Sequence, residues 1–536
     1  MDYLDRKNLF HLELRKTALF LCLVIGVFSS SAALAVVGSQ QYRVDIDVDA
    51  ATSDRQDRYV DASIDLTSYL AGLPGTLDVA SLQVLEVDSN GSLLNDSVLF
   101  QFDQAENFDP TTNAAGTLVF YLDGFTSGGV TRYYQLAFDL AGVCLDCPAP
   151  PAVPVPVSVD SLTYENQLAY QVTTPRATYM YHKQGAGLAS LIDNDANDWI
   201  SFHDIGGSET AGEYRGIPNL VFTESDAANS FFHPGFTNGT SRLVSAGPLK
   251  VTVHSQAGPP GNFWEVLWEF YPDYARMTVL TGGPADAGPY WFMYEGTIGG
   301  SMDAGDVVVR SDGTQTSAFD YAAKWEQTVA APEWVYFRDT TAPRALFLSV
   351  DQADSSPDSY LPQGQSSMST PEMSVFGFGR VLDTSPNSLE GRLTGAGRSF
   401  TLGLVEDHTT ATADIAGSVE PMTVQVGPAV ENGGPVASND GYATPEDIAL
   451  VVDAANGVLN NDTPEVAGPL TAVLQVDVTN GVLNLNADGS FDYTPTNDFN
   501  GIDTFTYQAF EAGIGSNFAT VTLTVNAVND TPVPAD

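Results

Sequence analysis

The sequence predicts an all-β protein made of several β-sandwich domains, and three observations carry that prediction. Apolar and polar residues alternate in short runs along most of the chain, the period of a strand with one buried face. Clusters of Gly, Asn, Asp and Pro separate the runs, where turns need them. No long stretch has the three-to-four-residue apolar spacing of an amphipathic helix. A chain of 536 residues has room for three or so domains, each with its own core.

Residues 1–35 read as a secretory signal. Arg15 and Lys16 precede an apolar run over 18–27, small residues follow through Ser31, and Ala33-Leu34-Ala35 offers a cleavage site after Ala35. The run is shorter than the roughly 20 residues a spanning helix needs, which favours cleavage over an uncleaved anchor. Cys22 lacks the small residues that should precede a lipid-modified cysteine, so lipoprotein anchoring is not expected. Export follows, and no later apolar stretch approaches spanning length, so no membrane span is expected in the mature chain.

Residues 41–143 alternate over 42–48, 60–66, 79–87, 98–102, 118–122 and 134–138, a first sandwich to which no chemistry is assigned. Asp45, Asp47 and Asp49 share one strand face, and a solvated edge accounts for them better than cation ligation. Residues 144–156 form a linker. Cys144-Leu145-Asp146-Cys147 is followed by Pro148, Pro150, Pro151, Pro154 and Pro156, a stiff extended spacer. A redox C-x-x-C needs a strand-to-helix setting, and zinc needs a second ligand pair nearby. In an exported chain a disulfide between Cys144 and Cys147, closing the domain boundary, fits better.

Residues 157–427 form the largest body, with strand signals at 168–173, 179–182, 249–254, 263–270, 276–280, 290–294, 307–310, 334–338 and 345–350. So many strands in one span predict a large antiparallel sandwich. This body carries thirteen of the seventeen Lys and Arg that follow residue 35, and four of the five later His lie between positions 182 and 254. His182-Lys183, His203-Asp204, Glu213-Tyr214-Arg215, His233 and Arg242 cluster in sequence. Imidazole and phenol exchange protons, and Arg pairs a carboxylate through two parallel hydrogen bonds. The set suits β-elimination from a uronic acid polysaccharide. Arg215 would pair the carboxylate, His203 or His233 would take the C5 proton, and Tyr214 would protonate the leaving oxygen. The competing account has these side chains satisfying nearby Asp residues or backbone carbonyls.

The same body is rich in aromatic residues. Trp264, Trp268, Trp291 and Tyr294 are candidate substrate-binding residues, with Tyr271 and Tyr290 beside them. Trp264 and Trp268 share one strand face, so they either line a cleft or fill the core, which is the default; Glu265, Glu269, Asp273 and Glu295 nearby favour the cleft. Asp193-Asn194-Asp195-Ala196-Asn197, with Asp204 further on, has the letters of a Ca²⁺ loop. Asp198 stands where Gly is expected and the flanks are strand-like, so a turn explains it better. The order Gly185-Ala186-Gly187-Leu188, Asp193 to Trp199, Tyr214-Arg215-Gly216, then 264–270 and 290–296, resembles the galactose-mutarotase-like supersandwich of sugar epimerases and several polysaccharide lyases. The resemblance names no catalytic residue.

The final segment, 430–536, holds fifteen Asp and Glu and no Lys, Arg or His. Either cations neutralise it or it is a solvated acidic surface. Its acidic residues sit at loop signals, Asn439-Asp440, Glu446-Asp447, Asn461-Asp462, Asp488-Gly489, Asp503 and Asn529-Asp530, between strand-like stretches at 448–452, 481–485, 504–507 and 519–525. Carboxylate and amide oxygens at strand ends suit Ca²⁺. The candidate ligands are Asn439, Asp440, Glu446, Asp447, Asp462, Asp503, Asn529 and Asp530.

Ala437-Ser438-Asn439-Asp440-Gly441-Tyr442, Pro445-Glu446-Asp447, Gly457-Val458-Leu459-Asn460-Asn461-Asp462, Asn486-Ala487-Asp488-Gly489-Ser490-Phe491-Asp492-Tyr493-Thr494-Pro495, Phe499-Asn500-Gly501-Ile502-Asp503-Thr504-Phe505-Thr506-Tyr507 and Val528-Asn529-Asp530 occur in that order. Together they resemble the bacterial cadherin-like tandem repeat over residues 435–530. The resemblance implies an immunoglobulin-like sandwich, acidic junction loops that bind Ca²⁺, and neighbouring repeats as partners. Pro532-Val533-Pro534-Ala535-Asp536 echoes Pro435 to Asp440, so residues 531–536 read as the start of a further repeat.

A formal net charge of −46 excludes nucleic acid as a partner, because phosphate binding needs Lys and Arg to displace counterions, and it disfavours anionic lipid. Two function classes remain. One is a secreted or cell-surface enzyme acting on polysaccharide or cell-surface glycan, a lyase or epimerase; the other is a non-catalytic adhesion protein whose sandwiches bind glycan.

Overall fold

The computed structural model describes residues 40–528, except 72, 74, 90, 92, 142–149, 204–215, 221–233, 235–238, 258–263, 283–288, 301–303, 318–320, 340–341, 364–372, 383–390, 432–434, 436, 465–468, 512–513 and 517–518. The signal segment, Cys144 and Cys147 lie outside the described residues. The chain divides into two compact units, residues 40–434 and the residues from Pro435 onward. Strands make up most of both, as the alternation predicts.

In the first unit, strand Tyr42–Asp49 buries Tyr42, Val44, Ile46 and Val48 and turns Arg43, Asp45, Asp47 and Asp49 outward. It pairs with Thr131–Leu140 on one side and Thr423–Glu431 on the other. The three aspartates therefore lie on the outer face of an interior strand, not on an edge. Residues 423–427, which the sequence reading assigns to the central body, close the first sandwich instead. Leu77–Val87 and Leu93–Asn95 complete this five-stranded sheet, and Arg55–Asp65, Ala115–Thr126 and Phe100–Gln104 form a three-stranded partner. Val44, Ile46, Val60, Ile64, Leu118, Phe120, Leu136 and Phe138 fill the core between them.

Two nine-stranded antiparallel sheets make the central body. One runs from the edge strand Ser158–Tyr164 through Gln167–Thr173, Ala177–His182, Gly187–Asp193, Gly216–Leu220 and Phe292–Gly296 to Trp325–Gln327. The other runs from Gly239–Ala246 through Val251–Ala257, Trp264–Phe270, Tyr274–Gly282 and Ser399–Val405 to Gln315–Ser317. Rings close the space between the sheets, with Phe292 stacked on Phe400 at 4.3 Å and Tyr294 against Phe337 at 4.6 Å. Helix Ala411–Val419 buries Ala411, Ile415 and Val419, one side chain per turn, against Val309, Trp334 and Phe347. At nine residues its stripe is too short to stand out in the sequence.

A buried ionic cluster stitches the first sandwich to the supersandwich. Lys250 Nζ lies 2.9 Å from Glu269, 3.2 Å from Asp61 and 3.4 Å from Asp103. Arg276 reaches Asp61 and Glu269, each at 2.7 Å, and Tyr271 donates its hydroxyl to Asp61. Gln101 accepts the N–H groups of Leu249 and Lys250 and donates to the Lys250 carbonyl, standing in for a strand partner. Burial alone would lower the Lys250 ammonium, yet Glu269, Asp61 and Asp103 raise its pKa above the ordinary value.

Two carboxylates in the supersandwich give the first unit a pH dependence. Burial pushes Asp358 and Glu333 each up to about 7, even though Asp358 accepts the N–H groups of Val329 and Gly379 and Glu333 that of Asp354. A folded-state pKa above the unfolded one contributes stability that is complete below the unfolded value and is lost as pH rises through the folded value. The unit should therefore gain stability as pH falls from about 8 towards about 5, and Glu333→Gln should flatten that slope. Urea denaturation across this range checks the prediction; a flat profile in the wild type would place both carboxylates in water.

Candidate functional site

The second unit is a small sandwich. Asp440–Pro445 runs parallel to Ala519–Asn526, which pairs antiparallel with Gly501–Glu511, and Thr471–Val476 follows. Leu450–Val452, Phe491–Pro495 and Gly481–Leu485 form the other sheet. Phe491, Tyr493, Phe505, Tyr507, Val521 and Leu523 make the core. Register fixes where the acidic loops lie. Asp440 opposes Val521 while Pro445 opposes Asn526, so Asp440 and Glu446 mark opposite poles of one strand. Tyr507, opposite Ala519, belongs to the Asp440 pole, and Gly501, opposite Val525, to the Glu446 pole.

The Asp440 pole is built around Tyr507. Its hydroxyl oxygen lies 3.2 Å from Asp440, 3.0 and 3.1 Å from the two oxygens of Asp462, and 2.6 Å from the Val458 carbonyl. One hydroxyl proton serves only one of these acceptors. Burial, with the neighbouring Asp462 charge, pushes Asp440 up to about 6, and burial raises Asp462 as well. Asp462 also accepts the Ser438 N–H, and Asn439 accepts the Thr520 N–H and, through its carbonyl, the Asn461 amide. At the other pole, Glu446 accepts from Val528 and Asn500, and Asp447 accepts the Asp498 N–H. Asn529 and Asp530 lie outside the described residues.

Oxygen-only donors, a deficit of protons at Tyr507 and the absence of any Lys, Arg or His from 430 onward fit a hard divalent cation at the Asp440 pole. Among the described residues, no three His, Cys, Asp or Glu side chains come close enough to hold a metal by themselves, so carbonyl oxygens would share the work. Asp503 is a correction to the ligand set. It is 2 % exposed, and its two oxygens accept the N–H groups of Thr479, Asn480 and Thr504 and the hydroxyls of Thr479 and Tyr493. These donors hold its pKa low despite burial, so Asp503 fastens the loop at 479–480 and has no lone pair left for a cation.

In the supersandwich the aromatic candidates are core. Trp264, Trp268, Trp291 and Tyr294 are each at most 3 % exposed, so none offers a face to a sugar. Trp268 stacks on Phe270 at 5.6 Å and meets Tyr181 edge-on, and Tyr294 donates to the Trp199 carbonyl. The Asp193 loop is a turn. Asp193 accepts the N–H groups of Asp195 and Asn197, the Asn197 amide and the Trp199 indole N–H, while Arg344 pairs with Asp195.

Of the four catalytic candidates, Tyr214, Arg215 and His233 lie outside the described residues, as does Asp204. His203 is exposed, with Nδ1 3.4 Å from Glu165. Glu165 and Asn166 form the two-residue hairpin between Ser158–Tyr164 and Gln167–Thr173, both with positive φ, of 45° and 63°. Next to that turn is a chain unforeseen in the sequence. Ser190 donates to Asp198, so Tyr164 donates its hydroxyl to Ser190 at 2.6 Å. His182 is wholly buried, donating its Nε2–H to the Tyr164 carbonyl and meeting Phe202 edge-on. The residues of the chain are 26 and 8 positions apart, so no local spacing announces it.

A family model described as the bacterial cadherin-like domain matches residues 432–527. The C-terminal unit is thus similar to that family, in agreement with its motifs and its two-sheet fold. No curated protein matches the chain. Among solved structures, the chain is similar to the HI1317 protein, with a TM-score of 0.35, 13 % identity, and coverage of 47 % of this chain and 97 % of that one. It is also similar to a protein in glycosyl hydrolase family 38 from Enterococcus faecalis, with a TM-score of 0.40, 9 % identity, and coverage of 89 % and 55 %. The chain spans about half the length of that second protein. Neither likeness, at these scores, bears on activity. Among the described residues no helix is long and apolar enough to cross a membrane.

Proposed function

We propose that this is an exported, cell-surface protein in which a glycan-directed body of two sandwiches is followed by a Ca²⁺-stabilised cadherin-like module that joins neighbouring repeats. The observation that carries it is the pairing of Asp440 and Asp462 on one hydroxyl at a pole of a cadherin-like sandwich without a single cationic side chain. Asp440, Asp462 and nearby carbonyls would hold Ca²⁺ at one pole, with Glu446 and Asp447 serving the other. Bound Ca²⁺ would supply the positive charge that these carboxylates lack. Calorimetric titration of the full chain with Ca²⁺ tests this, and Asp462→Asn should remove one site while sparing the fold of the first unit. Equal Ca²⁺ binding by Asp462→Asn and wild type would sink the assignment.

A second reading, β-elimination from a uronate polymer, is favoured by one observation. Exposed His203 Nδ1 lies 3.4 Å from the Glu165 carboxylate, the pairing that orients an imidazole acting as a base. In this reading Arg215 pairs the uronate. Arg215→Ala should then abolish formation of unsaturated ends on acidic polysaccharides and leave the melting temperature nearly unchanged. If the wild type cleaves no uronate polymer, this reading fails and the adhesion reading stands alone.

A further inference from the structure

Where helix Ala411–Val419 meets the first sandwich and the supersandwich, a cavity of about 160 Å³ remains. Its wall includes Arg55, Arg58, Tyr59, Tyr274, Asp351 and Glu420, with the hydroxyls of Thr401 and Ser418 beside them. Arg55 is 3 % exposed. It donates Nε to the Ala50 carbonyl at 2.9 Å and Nη1 to the Gly417 carbonyl at 2.8 Å, while Nη2 is buried with no acceptor among the described residues. Arg58 likewise uses the carbonyls of Gly417 and Asp414, so the two arginines cap the end of the helix, and among the described residues no carboxylate is bound to either.

An unpaired guanidinium N–H in a buried, polar, roomy place is costly unless something fills it. Arg276, also on the wall, is already engaged by Asp61, Glu269 and Tyr271. The charges of Arg55 and Arg58 balance those of Asp351 and Glu420, so an ion of either sign gains little. A ligand that accepts from guanidinium and donates to carboxylate suits both halves of the wall, and a hydroxyl does both. We propose that this cavity binds a polyol the size of one sugar unit, with a hydroxyl oxygen on Arg55 Nη2, hydroxyl protons on Asp351 and Glu420, and the apolar ring face against Tyr59 and Tyr274. The space is below the range that holds larger ligands, which limits the occupant to a single unit. The site deepens the glycan-directed reading but shares no residue with the His203 region, so it stands or falls apart from catalysis.

The test uses the full chain, with glucose, galactose and glucuronate as probes and acetate and sulfate as controls, read by saturation-transfer NMR and calorimetry. At least one sugar should bind saturably in the millimolar range. Arg55→Lys, which loses the guanidinium fork, and Ser418→Phe, which fills the space, should each weaken it at least about tenfold with the melting temperature retained. Should Arg55→Lys fail to fold, Ser418→Phe decides. The proposal is overturned if no sugar binds saturably, which would leave the cavity to water. It is also overturned if acetate or sulfate binds more tightly than every sugar, or if the folded variants bind like the wild type.

Discussion

Replacing Lys250 with Ala should cost the first unit about 3–5 kcal/mol, the loss expected when one partner of a buried ion pair is removed. Three carboxylates, Glu269, Asp61 and Asp103, surround its ammonium within 3.4 Å, and the Lys250 side chain is 4 % exposed. Without it, Arg276 alone must neutralise Asp61 and Glu269, and Asp103 keeps no cation. Lys250→Met should fare little better, because it restores volume but not charge. Denaturant unfolding of both variants, with the C-terminal transition followed separately, measures the effect. A loss below about 1 kcal/mol would mean that water already reaches the cluster.

Trp268→Ala should cost a comparable 3–5 kcal/mol, roughly the price of truncating a buried aromatic side chain. Trp268 is fully buried and touches rings of both sheets, Phe270 on its own strand and Tyr181 on the opposite sheet. Stability is therefore what the variant loses. A sugar platform would behave oppositely, losing glycan binding while its melting temperature stayed within a degree or two. The same contrast applies to Trp264, Trp291 and Tyr294.

Much of the fold is legible in the sequence because strands with one buried face leave a period-two signature. The stretches at 307–310, 334–338, 345–350 and 481–485 coincide with observed strands. Less legible is which sheet a strand joins. Thr423–Glu431 alternates like any other strand, but its pairing with Tyr42–Asp49 spans nearly the whole first unit, and local pattern carries no long-range pairing information. The sequence reading leaves out the supersandwich strands Ser158–Tyr164 and Ser399–Val405 for different reasons: the first is mostly exposed at an edge, and the second is buried on both faces with small and polar residues, Ser399, Thr401 and Gly403, along one of them.

Site residues follow the same division. Composition reveals the acidic module and its loops, and the register sorts them into two poles. Composition cannot say which carboxylates are already satisfied, so Asp503 and Asp440 look alike in sequence, although one is filled by five protein donors and the other faces a second carboxylate. Tyr507, the hub of the Asp440 pole, reads simply as a strand aromatic. Lys250 left a clue, as one of only three lysines after residue 35 and set between the apolar Leu249 and Val251. Such a lysine demands buried acidic partners.

The most direct test of the Ca²⁺-stabilised module is thermal unfolding of the full chain with Ca²⁺, with EDTA, and with NaCl at matched ionic strength. The transition of the C-terminal unit should rise in Ca²⁺ by the equivalent of about 2.7 kcal/mol per site at a hundredfold excess over the dissociation constant, while that of the first unit stays in place. If NaCl stabilises the module as well as Ca²⁺ does, its carboxylates are only a screened acidic surface, and the specific sites at its poles do not exist.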